Sequence, residues 1–239
     1  MRRLVLLGLS CALLCAPTAA GARAQVELMV VGKRAVLAAP QRVALKERFA
    51  TVGGRRCSLG RATPLSVLAG AGVSIRLKDY GACSRRARDA GSLYVRRIGP
   101  DRERGRDGWV YKVGRRAGSA GAADPAGPFG TGRRLRAGQR VLWFWCVKAV
   151  QDLCQRTLAV TPATRTVLAG APLRVTVRGH DDNGAGAPVA GATVRMGAAV
   201  ALTGADGVAT LTAPAAGRYG VQAERAGMVV SFPARVTVR

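Results

Sequence analysis

From residue 25 onward the apolar side chains of this chain recur mostly at intervals of two, and only residues 63–70 read as a short helix. That period places successive side chains on opposite faces of a strand, so it commits the chain to a mainly β fold. Two strands are aromatic. One is Gly108-Trp109-Val110-Tyr111-Lys112-Val113, the other Arg140-Val141-Leu142-Trp143-Phe144-Trp145-Cys146, and between them they hold all 3 tryptophans. Trp109 and Tyr111 share one face, as do Trp143 and Trp145. Strands are also expected at residues 25–31, 73–80 and 92–98, and a second extended or irregular stretch at 43–52. In the helix, Thr63 is placed to cap, Pro64 takes the tolerated first position, and Gly70 or Gly72 stops it. A long loop of glycine, proline and arginine covers residues 114–134. Such a length without periodicity marks a functional or mobile segment.

The chain divides by composition. Residues 1–24 read as a secretory leader: Arg2 and Arg3, an apolar run over 4–14, then Ala22-Arg23-Ala24 as a cleavage site. The run is too short to span a membrane. Lipid attachment at Cys11 or Cys15 is disfavoured, because Leu14 precedes Cys15 and little apolar chain precedes Cys11. A first domain is expected over 25–156 and a second over 157–239, where cysteine, lysine and tryptophan disappear. In the second, strands are expected at 173–178, 193–196, 207–211, 219–223 and 235–239. Turn signals separate them, at Asn183-Gly184, Asp206-Gly207 and Ala216-Gly217. That is the pattern of a small β-sandwich. The expectation is a secreted or extracellular surface protein, monomeric and without a transmembrane segment.

Four cysteines remain after the leader: Cys57, Cys83, Cys146 and Cys154. An even count in an exported chain argues for disulfides over zinc, since paired short spacings are missing and His180 is the only histidine. Three connectivities are possible. Cys57 with Cys83 and Cys146 with Cys154 closes the short local loops.

The formal charge is +25, and residues 25–156 carry 27 basic and 9 acidic groups. A basic exported domain attracts polyanions such as anionic envelope polymers. Arginine outnumbers lysine 33 to 5, however, and a genome rich in G and C produces that bias with no binding role. Arg55, Arg56, Arg85, Arg86 and Arg88 flank Cys57 and Cys83, so a bridge there would gather them into one basic patch. Arg115-Arg116 and Arg133-Arg134 stand at the two ends of the long loop.

Trp109, Tyr111, Trp143 and Trp145, with Phe129 in the loop, are the candidate ligand contacts. They could form a stacking platform for a planar or sugar ligand, with arginines nearby. The competing reading, which small domains favour, is that the strand aromatics fill the core. The run His180-Asp181-Asp182-Asn183-Gly184 offers oxygen ligands for calcium but lacks the later acid, so a plain turn is expected. No metal site, cofactor or catalytic group is expected: Gly-x-Ser-x-Gly and HExxH are missing, and no carboxylate pair stands out.

Two resemblances add to this reading. Ala62-Thr63-Pro64-Leu65-Ser66-Val67-Leu68, residues 92–99, Asp107-Gly108-Trp109-Val110-Tyr111-Lys112-Val113-Gly114 and residues 135–145 stand in the order and spacing of a known pattern. On these the first domain resembles the transcobalamin-like C-terminal domain family of bacterial exported domains. The chain has Gly114-Arg115 where that family has Asn-Gly, and Gln139 where it has Asp. The resemblance implies a β-grasp-like architecture and a ligand-binding role. Cobalamin itself transfers poorly, because the carriers close over it with a separate helical domain. Residues 188–194, 203–211 and 217–221 are similar to bacterial immunoglobulin-like and carboxypeptidase-regulatory-like sandwiches, which implies a spacer or adhesive unit. The leading expectation is a secreted, non-catalytic binding module. The alternative is a structural or adhesive envelope protein held to anionic polymers by its arginines.

Overall fold

The structure, a computed structural model, describes residues 24–148 and 153–239. The expected leader, Ala24 apart, lies outside the described residues.

The N-terminal half runs β1 (Gln25–Val31), β2 (Val36–Ala44), β3 (Phe49–Val52), β4 (Arg55–Ser58), α1 (Pro64–Leu68), β5 (Ile75–Asp79), β6 (Leu93–Ile98), β7 (Asp101–Arg102), β8 (Gly108–Val113), β9 (Arg116–Ala117) and β10 (Arg140–Cys146). Its main sheet has five strands in the order β2-β1-β10-β8-β9. The central neighbours β1 and β10 are parallel, while the flanking pairs are antiparallel. Two hairpins around a central parallel pair, with a helix in the crossover, make the expected β-grasp-like arrangement. The β3–β4 hairpin and a three-stranded β5-β6-β7 sheet complete this half.

Helix α1 forms where the sequence places it. Thr63 and Ser66 cap each other: Ser66 N donates to Thr63 Oγ1 at 3.1 Å, and Thr63 N donates to Ser66 Oγ at 3.2 Å. The stretch expected at 43–52 is in fact the end of β2 and all of β3, and β2 starts back at Val36. Pro40 hides β2 in the sequence. It is tolerated because β2 is an edge strand with irregular register against β1.

Both faces of the main sheet are covered. On the inner face Trp109, Tyr111, Val113, Val141, Trp143 and Trp145 join Leu28, Leu65, Leu68 and Ile98 in one core. On the outer face Met29, Leu142, Phe144 and Cys146 pack with Val229 of the C-terminal half, against partly buried Val110, Val230 and Phe232. This explains why β10 is apolar at every position from Val141 to Cys146, all buried.

The C-terminal half contains β11 (Thr157–Pro162), β12 (Thr166–Val167), β13 (Pro172–His180), β14 (Gly186–Pro188), β15 (Thr193–Met196), β16 (Ala199–Leu202), β17 (Val208–Thr212), β18 (Gly217–Glu224) and β19 (Ala234–Val238). A sheet of four strands built on β13 faces a sheet of five in the order β12-β19-β18-β15-β16. Leu173, Val175, Val177, Leu211, Val194, Met196, Val221 and Val236 fill the space between them. This is the β-sandwich the alternation predicts, in the immunoglobulin-like form the resemblance implies. The strands missed from sequence, β11, β12, β14 and β16, all lie at sheet edges or are very short. At the Asp206-Gly207 turn, Gly207 has φ +75°, and a Cβ there would meet Val177 O at 2.7 Å. Only glycine fits.

Cys57 bonds to Cys83 and Cys146 to Cys154, with Cα–Cα distances of 5.4 and 5.2 Å. Among the described residues no helix is long and apolar enough to cross a membrane.

Candidate functional site

An apolar groove of about 420 Å³ opens between β6 and β8. Its floor is made by Trp109, Tyr111 and Trp143 of the inner sheet face, and its mouth by Tyr80 and Tyr94. The floor aromatics are nearly closed over. Trp143 is 1% exposed, and its ring lies 5.3 Å from Tyr111 at 42°. The mouth residues are not closed over. Tyr80 is 64% exposed and Tyr94 39%, and their rings meet edge to face at 6.1 Å. Lys78 Nζ stands 4.3 Å from the Tyr80 ring centre.

The polar tips of the floor are spent on hydrogen bonds to backbone carbonyls of the protein. Trp109 Nε1 donates to Asp101 O at 2.9 Å, and Trp143 Nε1 to Pro64 O at 3.3 Å. Tyr111 Oη lies 2.7 Å from Ala120 O and 3.1 Å from Pro128 O. Burial, with Asp124 adding to it, pushes the Tyr111 phenol far above its ordinary pKa. Burial also raises Tyr94, with Glu103 contributing. Neither phenol ionises near neutral pH. The groove therefore offers mainly ring faces and edges for contact, and the hydroxyl in its lining, Ser92 Oγ, donates to Asp79 Oδ1 at 2.9 Å.

Those same bonds hold the long loop. Ser119 N donates to Pro128 O at 3.1 Å, and Leu65 N of α1 takes Ala122 O at 2.8 Å. Gly118 lies flat on the Tyr111 ring, where a Cβ would collide. Residues 114–134 thus contain strand β9 and a series of hydrogen-bonded turns.

Three of the aromatics named from sequence, Trp109, Tyr111 and Trp143, come together here. Trp145 packs edge-on against Trp109 at 5.7 Å but faces a different hollow, under Lys33 Nζ at 4.1 Å. Phe129 also lies elsewhere, under the guanidinium of Arg116 at 5.0 Å. Sequence reasoning missed Tyr80 and Tyr94. Tyr94 was legible as the residue on the opposite side of β6 from Leu93 and Val95, both buried.

The arginines fall into separate surfaces. The Cys57–Cys83 bridge, with Ser58 N donating to Ser84 O at 2.7 Å, brings exposed Arg55 and Arg56 toward Arg85, Arg86 and Arg88. Part of that patch is neutralised. Arg55 pairs with Asp79 at 3.2 Å, Arg88 with Asp89 at 3.8 Å, and Arg56 stacks on Phe49 at 4.9 Å. Hydrogen bonds, first from Cys83 N, hold the Asp79 carboxyl below its usual range against the opposing effect of burial. Arg116, Arg133 and Arg134 gather with Arg136 around Phe129 in a depression of about 600 Å³.

A third cluster was not anticipated. Lys112, on the outer face of β8, is 0% exposed and reaches into the C-terminal half. Its Nζ donates to Asp181 O at 2.7 Å, His180 O at 3.1 Å and Thr157 Oγ1 at 3.3 Å, and lies 3.6 Å from Asp182 Oδ1. Burial lowers the Lys112 pKa and Asp182 opposes that. Asp182 also accepts from Cys154 N at 3.1 Å. The 180–184 run is thus a turn committed to Lys112, and among the described residues no group of His, Cys, Asp and Glu could hold a metal ion. His180 is buried, with Nδ1 3.1 Å from Gly184 O. That carbonyl assigns the proton to Nδ1, leaving buried Nε2 without a partner among the described residues.

No protein-family model and no curated protein matches the chain. Among solved structures it is similar to the D00-D0 domain of Intimin, with 16% identity and a TM-score of 0.28, over 71% of this chain and 80% of that one. A score that low carries no argument about this chain.

Proposed function

We propose that the chain is an exported, non-catalytic binding module, and that its ligand enters the groove between β6 and β8. The observation that carries this is the exposed Tyr80–Tyr94 pair at the mouth of an apolar, aromatic-floored groove. Large exposed aromatic rings beside a hollow are unusual unless a partner covers them. The ligand class is a compact ring with an apolar face, planar or a sugar. A groove of about 420 Å³ takes one or two rings and is small for a corrin, so a cobalamin-sized ligand does not fit it. The likeness of the N-terminal half to transcobalamin-like C-terminal domains supports a ligand-binding role. Two disulfides suit an oxidising compartment and support export.

The test begins with protein recovered from its native host, examined by mass spectrometry under non-denaturing conditions for a retained molecule. That molecule, or a sugar and aromatic panel, is then titrated against tryptophan fluorescence. Tyr80→Ala/Tyr94→Ala is expected to weaken binding by about tenfold or more, since each lost ring contact is worth about 1 kcal/mol. Unchanged affinity in that variant overturns the assignment.

A further inference from the structure

Between the two halves lies a second cleft, of about 620 Å³. On the N-terminal side, Arg42 of β2 and Arg140 of β10 stand either side of Glu27 of β1, all three in cross-strand register. On the sandwich side stand Arg165 and Arg235, brought together where Thr237 N donates to Arg165 O at 2.9 Å. Arg115 lines the cleft from the β8–β9 turn. Glu27 is the one acid among the described residues lining it, and Arg140 takes that carboxylate at 2.7 Å. Arg42, Arg115, Arg165 and Arg235 are exposed and make no ion pair among the described residues.

The Phe129 depression is lined by neighbours of these residues in the chain. Arg115 lines the cleft and Arg116 the depression, and Arg140 lines the cleft and Gln139 the depression. No acid among the described residues lines the Phe129 depression. The first hollow is thus a basic furrow bordered by both halves of the molecule, and neighbouring residues of the chain line the second. Gathering like charges raises their self-repulsion, and a low-dielectric cleft of one sign concentrates the field on an oppositely charged ligand. Arginine forks suit carboxylate and sulfate oxygens.

We infer that this furrow binds a linear acidic polysaccharide, with guanidinium groups from both halves holding successive anionic sugars. A polymer is favoured because the unpaired guanidinium groups come from both walls of the cleft, so an extended chain of anionic sugars meets them in succession. The aromatic rings disfavour single-stranded nucleic acid. The Arg116 guanidinium lies over the Phe129 ring at 5.0 Å and that of Arg140 over the Phe232 ring at 5.2 Å, so one face of each ring is already taken against base stacking. The sandwich is on this view half of the binding surface rather than a spacer. The inference does not depend on the tyrosine groove.

The experiment measures binding of the full chain to polygalacturonate, dextran sulfate, neutral dextran and single-stranded DNA at low and raised salt. Polygalacturonate or dextran sulfate is expected to bind and neutral dextran to fail, with affinity falling steeply as salt screens the contacts. Arg165→Gln/Arg235→Gln is expected to lose about tenfold in affinity, while Arg85→Gln/Arg86→Gln, the same charge change at the Cys57–Cys83 patch, loses less than about twofold. Thermal midpoints equal to the parent's show that the exposed substitutions left the fold intact, and a third pair, Arg133→Gln/Arg136→Gln, tests the second hollow independently. Equal losses at the furrow and at the control patch overturn the inference in favour of diffuse charge. Binding to neither acidic polymer overturns it outright, and DNA bound more tightly than both overturns the choice of occupant.

Discussion

The two faces of the main sheet are built by the same strands to different ends. The inner face of β8 and β10 carries Trp109, Tyr111, Trp143 and Trp145, and the polar tips of the first three find partners within the N-terminal half. The outer face carries Val110, Lys112, Leu142 and Phe144, and the side-chain hydrogen-bond and ion-pair partners of Lys112 all belong to the C-terminal half. The inner face is a core in its own right. The outer face is complete only when the sandwich is docked, because an ammonium and several large apolar groups would otherwise meet each other across solvent. One strand pattern thus encodes a fold on one side and an interface on the other.

Trp143→Ala attacks the inner face and should have the largest effect. Deleting so large a buried side chain costs about 3–5 kcal/mol. Denaturant unfolding followed by circular dichroism should show the N-terminal half losing structure while the sandwich still melts as a unit. Lys112→Ala attacks the outer face and should cost about 3 kcal/mol, because it strands the Asp182 carboxylate and the carbonyls of His180 and Asp181. Its signature is different: calorimetry should resolve two transitions where the parent gives one. Lys112→Met paired with Asp182→Leu should recover most of that loss. Opening the Cys146–Cys154 bridge, which spans 8 residues of sequence beside the interface, should cost about 2.5 kcal/mol in the same measurement.

The pH dependence belongs to the outer face too. Burial, with Arg115, Lys112 and Arg178 nearby, holds His180 below its ordinary 6.5. The unfolded chain takes up a proton there that the folded chain refuses, so stability declines as pH falls below 6.5. His180→Phe should flatten that slope in thermal midpoints taken between mildly acid and neutral pH. Asp79 acts in a lower window: its depressed carboxyl stabilises above 3.8, and that contribution is lost as pH falls further. Tyr80→Ala/Tyr94→Ala should change stability least, by less than about 0.5 kcal/mol for such exposed rings, which separates the groove's mouth from its floor.

Much of this fold is legible in the residues. Alternation marks β1, β5, β6 and β13, the aromatic runs mark β8 and β10, the Thr63 cap marks α1, and short spacing marks the two disulfides. Strand β2 is hidden by Pro40, and β11 and β14 by the short, half-buried character of edges. The site was harder to read, for a physical reason. Sequence gives the face a side chain takes but not whether that face is open, so Trp109, Tyr111 and Trp143 stand out while exposed Tyr80 and Tyr94 do not. Lys112 is the instructive case. A lysine in an alternating strand reads as the solvent side, yet here that side is roofed by the sandwich. The uninterrupted apolar run from Val141 to Cys146 in the neighbouring strand was the available sign that both faces are covered.

The parallel pairing of β1 with β10 has a consequence for biogenesis. Glu27 and Arg140 are bonded partners 113 positions apart, so the first strand to emerge has no neighbour on that side until the last strand of its own sheet arrives. The sandwich has distant pairings too, Thr166 with Thr237 and Pro172 with Thr212, but they reach over a shorter stretch of chain. Vectorial synthesis or secretion therefore leaves an apolar ribbon waiting while more than a hundred residues pass. A holdase that shields extended segments should speed maturation of the N-terminal half far more than that of the half that follows it.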